Sequence, residues 1–174
     1  MADGGIILIV PLSMLVSVNV EVQVDPPGDD DRVETAWTLK EQIRTEEGVL
    51  KQRRPFFTDA YRRSKTHLLF EDDDLVGFAS VRRDGYILFL AISPSYRGEG
   101  HGKRLVAEAA NDHESISCHA RATNESALSF YEYLGFEIVR RITSYYEDGG
   151  DAYYLKLGDT PSIRDRFADL LRRS

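Results

Sequence analysis

The sequence predicts one α/β domain: a mixed, mostly antiparallel sheet of six to seven strands, flanked by about four helices, with a further helix at the C-terminus. Three observations predict it. The 174 residues suit a single domain of ordinary size. The run THLLFEDDDLVGFASVRRDGYILFLAIS holds three consecutive strand-like segments, broken at Asp72–Asp74 and at Asp84–Gly85, which is a meander. After residue 100, helical and strand patterns alternate, the arrangement that lays helices on a sheet.

The elements follow in order. Ile6 to Val16 is apolar but falls short of the ~20 residues that span a bilayer. Pro11 interrupts it, and Asp3 stands where a secretory signal carries positive charge. Met14 lies just before the first strand, so residues 1–13 read as an N-terminal extension to a domain over 14–158. Val16, Val18, Val20, Val22 and Val24 alternate with polar residues, predicting a strand with one buried face. Asp25 to Asp31 reads as a turn whose acids suit a helix N-terminus. Val33, Ala36, Trp37 and Ile43 recur at helical spacing until Gly48, and a short helix is expected over Thr58–Ser64, after Pro55. Beyond the meander come a helix over His101–Ala110, a strand over Ser115–Arg121, and a helix over Glu125–Leu134 closed by Gly135. A strand over Phe136–Ser144, the turn EDGGD and a last strand over Ala152–Leu157 complete the domain.

Residues 159–174 form a separate amphipathic segment, capped by Thr160 with Pro161 behind it and striped by Ile163, Phe167, Leu170 and Leu171. Such a helix packs on its own domain or docks a partner, a second copy in a homodimer included. Asp165 and Asp169 dilute its arginines and argue against a membrane.

Acidic residues outnumber basic ones by 29 to 22, for a net charge of −7. A nucleic-acid binder needs a concentrated basic face, so that class is set aside. Cys118 is the only cysteine, which excludes an internal disulfide or a Cys-based zinc site and points to a reducing, cytoplasmic compartment. His67 and His113 have no partners at metal-ligand spacing, and no metal is expected.

The most informative segment is LAISPSYRGEGHGKRL, Leu90 to Leu105. A strand ends near Ser93, glycines follow at 98, 100 and 102, and a helix begins at once. Such a turn aims backbone N–H groups from the positive end of a helix, and it lets a pyrophosphate approach without a Cβ in the way. The spacing is neither G-x-G-x-x-G after the start of a βαβ unit nor G-x-x-x-x-G-K-[ST], so a Rossmann site and a P-loop are excluded.

Arg97-Gly98-Glu99-Gly100-His101-Gly102 resembles the R/Q-x-x-G-x-G/A signature of the GNAT superfamily of N-acetyltransferases. Asn124 to Tyr131, followed by Leu134-Gly135-Phe136, resembles that superfamily's second block, N-x-x-A-x-x-x-Y-x-x-x-GF. The resemblance implies a GNAT fold that binds acetyl-CoA where two strands splay beside the glycine loop. It assigns the cofactor to Leu90, Ala91 and Ile92 on the strand, to Arg97, Gly98, Glu99, Gly100, His101, Gly102 and Lys103 in the loop, and to Asn124, Ala127 and Tyr131. Within the superfamily the chain resembles N-terminal (Nα) acetyltransferases of the NatE catalytic type and their ribosomal-protein relatives. His119 then stands as the base, Tyr86 as the second catalytic residue, and Tyr131 beside the sulfur, where it supports departure of the thiolate. Backbone N–H groups near Leu90 and Ile92 would receive the thioester oxygen. Tyr145-Tyr146, Asp148-Gly149 and Asp151-Ala152 resemble the YY-x-DG-x-DA block of peptide-acetylating members. A protein or peptide N-terminus is the implied partner. Residues 47–57, with Phe56, Tyr61 and Leu88, would form one wall around it, and Tyr145 and Tyr146 the other, unless these two tyrosines are ordinary strand aromatics. One departure stands out: many relatives, the ribosomal-protein branch among them, carry a glutamate where this chain has His119.

The residue chemistry points the same way. An α-amine has a reference pKa near 7.7–8.0 against about 10.4 for lysine, so its deprotonation is easier by about 3 kcal/mol. A histidine, near 6.5, is matched to that task. Strand alternation puts Ile116, Cys118 and Ala120 on the core face and Ser117, His119 and Arg121 on the other, so Cys118 reads as a buried hydrophobe. A lysine or small-molecule amine as acceptor, and a non-enzymatic acyl-CoA-binding module, remain as alternatives.

Overall fold

A computed structural model of the protein describes residues 17–158 and 163–172. Strands β1 (Val20–Asp25), β2 (Lys65–Glu71), β3 (Asp74–Val81) and β4 (Ile87–Ile92) form one antiparallel sheet in sequence order. Strands β5 (Ser115–Arg121), β6 (Glu137–Ile142) and β7 (Ala152–Gly158) form a second, in the order β5-β7-β6. Between them run α1 (Val33–Glu47), α2 (Arg54–Arg62), α3 (His101–Ala110) and α4 (Glu125–Leu134), and α5 (Ile163–Arg172) follows. The mixed character of the expected sheet rests on one parallel bridge, Tyr86 to Ser117, fastened by Ser117 N–H to Gly85 O at 3.1 Å. Gly85 sits at φ +83°, and a Cβ there would strike the Ser115 carbonyl; only glycine lets the start of β4 lie so close to β5. Past this bridge the two strands pair no further, and the outer edge of β4 is left open.

Packing explains where patterns blur. β2 and β3 lie inside the first sheet with helices on both faces, so their sequences run continuously apolar instead of alternating. Phe57 and Tyr61 of α2 join Ala36 and Ile43 of α1 against Leu68, Phe78 and Phe89 on one face. Leu105 of α3 meets Leu69, Val76 and Ala79 on the other. α3 then continues into a second core with Ile116, Cys118 and Ala120 of β5 and Leu155 and Leu157 of β7. Phe167 of α5 is buried in that core, and α5 lies against α3, so this helix packs on its own domain. None of the helices among the described residues is long and apolar enough to cross a membrane.

Four boundaries depart from expectation. β1 begins at Val20, with Val18 and Val24 exposed, because it is an edge strand with little cover. Asp25 ends β1 fully buried, rather than opening the turn, and accepts from Tyr61 Oη at 2.6 Å and from the Arg32 backbone and guanidinium. α2 starts at Arg54 rather than Thr58, since a proline is tolerated in the first turn, where its missing N–H has no acceptor to lose. β6 stops at Ile142, so Tyr145 and Tyr146 stand in the following loop and are not strand aromatics. The extension over 1–13, Val16 and the Thr160–Pro161 cap lie outside the described residues.

Candidate active site

The opening between β4 and β5 brings together residues far apart in sequence. β5 alternates as expected: Ile116, Cys118 and Ala120 are buried, and His119 stands half-buried on the other face. Tyr86, held by the parallel bridge, places its hydroxyl 2.7 Å from His119 Nδ1. Tyr145 stacks flat on the imidazole, centroids 4.5 Å apart at 8°. Burial, and next the Arg140 charge, lower the His119 pKa, which keeps the ring neutral at neutral pH. Burial, and next the Tyr145 hydroxyl, push the Tyr86 phenol far above its usual value, so it stays protonated.

The loop carrying Tyr145 and Tyr146 is held by its acids. Asp148 accepts from Arg121 through both oxygens, at 2.9 and 3.0 Å, and from Gly150 N–H at 3.0 Å. Asp151 accepts from Arg141 and from Ser144 N–H. The Arg121 guanidinium lies 4.0 Å from the Tyr146 ring centroid, and Tyr146 meets Tyr145 edge-on. A Cβ on Gly150 would collide with Arg121. The D-G-x-D pattern therefore shapes the turn that presents the two tyrosines. Arg121, Asp148 and Arg140 were absent from the expected site set; the signal for Arg121 was its place two residues beyond His119, on the same strand face.

The glycine loop divides its labour. Gly98 and Gly100 have φ of +81° and +85° with open space around them, and Gly100 caps α3. The first α3 bond runs from Arg104 N–H to Gly100 O, which leaves the His101 and Gly102 amides ahead of it, at the positive end of the helix. Gly102 serves packing: a Cβ there would sit 3.1 Å from Phe130. Arg97 turns its guanidinium back to Ile92 O at 3.2 Å and to Glu47, stapling the loop to β4 and α1. His101 is buried, with Nε2 3.1 Å from Glu99 and 3.5 Å from Glu71, so its ring has carboxylate partners beyond the expected use of its N–H. Lys103 lies half-buried in the first turn of α3.

The second motif is used internally. Asn124 caps α4, its Oδ1 accepting from Ala127 N–H at 3.0 Å, and Ala127 packs on the second core. That cap engages Asn124 Oδ1. Tyr131 is buried between Phe130 and Phe136, and its phenol is kept protonated by burial and next by the neighbouring Cys118. Burial pushes the Cys118 thiol up to about 12, which removes it as a nucleophile. Leu90, Ala91 and Ile92 line up along β4, with Ala91 buried and its neighbours half-buried. Of the expected substrate wall, Phe56 is exposed beside Phe89 and Leu88 is half-buried. Tyr61 is the correction: it has no exposure, and its hydroxyl is spent on Asp25.

The parted sheets, the glycine-capped α3 and the open β4 edge define an α/β architecture with an opening beside a helix N-terminus. Residues 62–138 match the family model described as an acetyltransferase (GNAT) domain. The chain is 41% identical over 80 residues to N-alpha-acetyltransferase 30 of Xenopus laevis, across 43% of this chain and 29% of that protein. It is 37% identical over 83 residues to N-alpha-acetyltransferase 30 of Saccharomyces cerevisiae, across 45% of this chain and 47% of that one. The chain thus spans less than half the length of these two curated relatives. Among solved structures it is similar to Arabidopsis thaliana Naa50 in complex with the bisubstrate analogue CoA-Ac-MVNAL. There the TM-score is 0.60 at 27% identity, covering 79% of this chain and 99% of that one.

Proposed function

We propose that the protein is an acetyl-CoA-dependent N-acetyltransferase, acting on the α-amine of a protein or peptide N-terminus by direct attack within a ternary complex. The observation that carries this reading is the 2.7 Å pair of Tyr86 Oη and His119 Nδ1 where the sheets part. With Nδ1–H donated to the Tyr86 oxygen, Nε2 is left to take the amine proton, directly or through water. A depressed histidine pKa leaves that nitrogen unprotonated at the pH where an α-amine begins to lose its proton.

The remaining residues suit the cofactor. The amides of the Arg97–Lys103 loop fit a pyrophosphate, since its two positive-φ glycines leave the approach clear. The open edge of β4 offers backbone N–H groups near Leu90 and Ile92 to the thioester oxygen as it gains charge. As the new C–N bond forms and the C–S bond breaks, Tyr131 supports the departing thiolate as a protonated phenol. Tyr145 covers the base and, with Tyr146, walls the acceptor's first residue. The relatives named N-alpha-acetyltransferase and the neighbour bound to a CoA–peptide analogue support the same class. We assign the enzyme to one GNAT domain over residues 14–158 and to the cytoplasm, where the buried free thiol of Cys118 stays reduced.

Comparison of a free N-terminal peptide with its N-blocked, lysine-containing copy tests the acceptor. Mass spectrometry should find the first acetylated at its α-amine and little product from the second. Equal rates would move the activity to lysine, and no product from either would overturn the peptide acceptor.

A further inference from the structure

Beside the catalytic opening lies a second concavity of about 500 Å³, between α1 and the segment entering α2. Trp37, Glu41, Arg44, Gly48, Lys51, Gln52, Arg53 and Arg54 line it. Four cations and one carboxylate meet here in a chain of net charge −7. Glu41 answers Arg44, and Glu34 answers Arg54. Among the described residues Lys51 has only Asp148 at 4.0 Å, a carboxylate already held through both oxygens by Arg121. Arg53 is exposed and has no ion-pair partner among the described residues. Gln52 Oε1, in the same lining, is buried without a hydrogen-bond donor among those residues. The pocket is therefore short of negative charge and short of one N–H.

Its position relative to the base is set by contacts. Lys51 reaches Asp148, Asp148 binds Arg121, Arg121 covers Tyr146, and Tyr146 meets the Tyr145 that stacks on His119. Those contacts place the pocket a few side chains from His119, within the reach of an extended peptide, which covers about 3.4 Å per residue. A peptide with its amine at His119 can thus bring residues downstream of its N-terminus to Lys51 and Arg53.

We propose that this pocket binds carboxylate side chains of the acceptor peptide downstream of its reacting amine, so that N-termini followed by acidic residues are preferred. The inference rests on the N-terminal acetyltransferase reading. Lys51 and Arg53 take the carboxylates, and Gln52 Oε1 accepts a peptide N–H. Lys40, buried in α1, holds the pocket's shape: its ammonium donates to the Gln52 carbonyl and to Glu41 and lies 4.5 Å from the Trp37 ring centroid.

Trp37 is the chain's only tryptophan, so its fluorescence reports on this pocket independently of turnover. The full chain is titrated with two peptides that share their first three residues and carry either Asp and Glu or Ser at positions four to six. The same pair is assayed for acetylation. The acidic peptide should shift Trp37 emission at lower concentration and show about tenfold higher kcat/KM at low salt, through KM, with the advantage shrinking as salt is added. Lys51→Glu and Arg53→Glu should each reduce or reverse that preference. Equal KM for the two peptides, or an acidic preference untouched in both variants, overturns the pocket assignment and leaves the enzyme reading standing. A Trp37 response specific to the acidic peptide, without acetylation of either, upholds the pocket and overturns the acceptor.

Discussion

Replacing Tyr86 by phenylalanine keeps the ring under Arg82, whose guanidinium lies 4.7 Å from its centroid, and removes only the hydroxyl bonded to His119 Nδ1. In the proposed reaction His119 takes the amine proton and becomes an imidazolium, and the Tyr86 oxygen then accepts a hydrogen bond from a charged donor. Such bonds are worth about 1.5–3 kcal/mol, against about 1.4 kcal/mol per tenfold in rate, so Tyr86→Phe should lower kcat by roughly 10- to 150-fold. His119→Ala removes the base and should cost roughly 10²–10⁴. Because Tyr86 acts through His119, the double variant should fall no further than His119→Ala alone, within about threefold. The pH profile carries a second sign. Burial already holds the acid limb of kcat below the ordinary histidine value, and losing an acceptor for the charged form should move it lower still in Tyr86→Phe. Steady-state rates with labelled acetyl-CoA and a saturating peptide, from pH 5 to 9, measure all of this. Multiplying losses in the double variant, or full activity in Tyr86→Phe, would show that the phenol does not work through the imidazole.

Two more consequences can be measured separately. Gly100→Ala puts a side chain at φ +85° beside the α3 amides and should weaken acetyl-CoA binding about tenfold or more by calorimetry, while Gly102→Ala, crowding Phe130, should chiefly lower the melting temperature; identical behaviour of the two would refute the division of roles in the loop. His67 is buried and its pKa is lowered to about 4 by burial and then by Lys65, so its contribution is full above pH 6.5 and is lost as pH falls toward 4, by up to about 3 kcal/mol; urea unfolding at pH 7 and 4.5 should show this loss much reduced in His67→Leu, and an unchanged difference would refute it.

Much of the fold was legible in the sequence because its signals are local. The meander breaks, the Gly135 stop of α4 and the alternation of β5 each depend on residues a few positions apart, and each stands where the pattern puts it. The residues of the proposed site, His119 and Tyr86 above all, were named from their motifs, though nothing local says that residues 33 apart meet at 2.7 Å. One wall residue misled: Tyr61 was expected to face a substrate, yet it satisfies a buried carboxylate, because its hydroxyl could pair inside the chain.

The sequence by itself determined the strand and helix periods, the glycine loop before α3 and the residue types for acetyl transfer. These follow from backbone geometry and side-chain chemistry that act over one or two turns. Only the tertiary structure decided that the sheet divides at Tyr86–Ser117 and that Tyr145 lies flat on His119. It also decided that Arg121 and Asp148 hold the facing loop, and that a basic pocket opens beside it. The reason is physical: burial, stacking and charge compensation depend on which distant segments share a volume, and no pattern along one strand or helix specifies that.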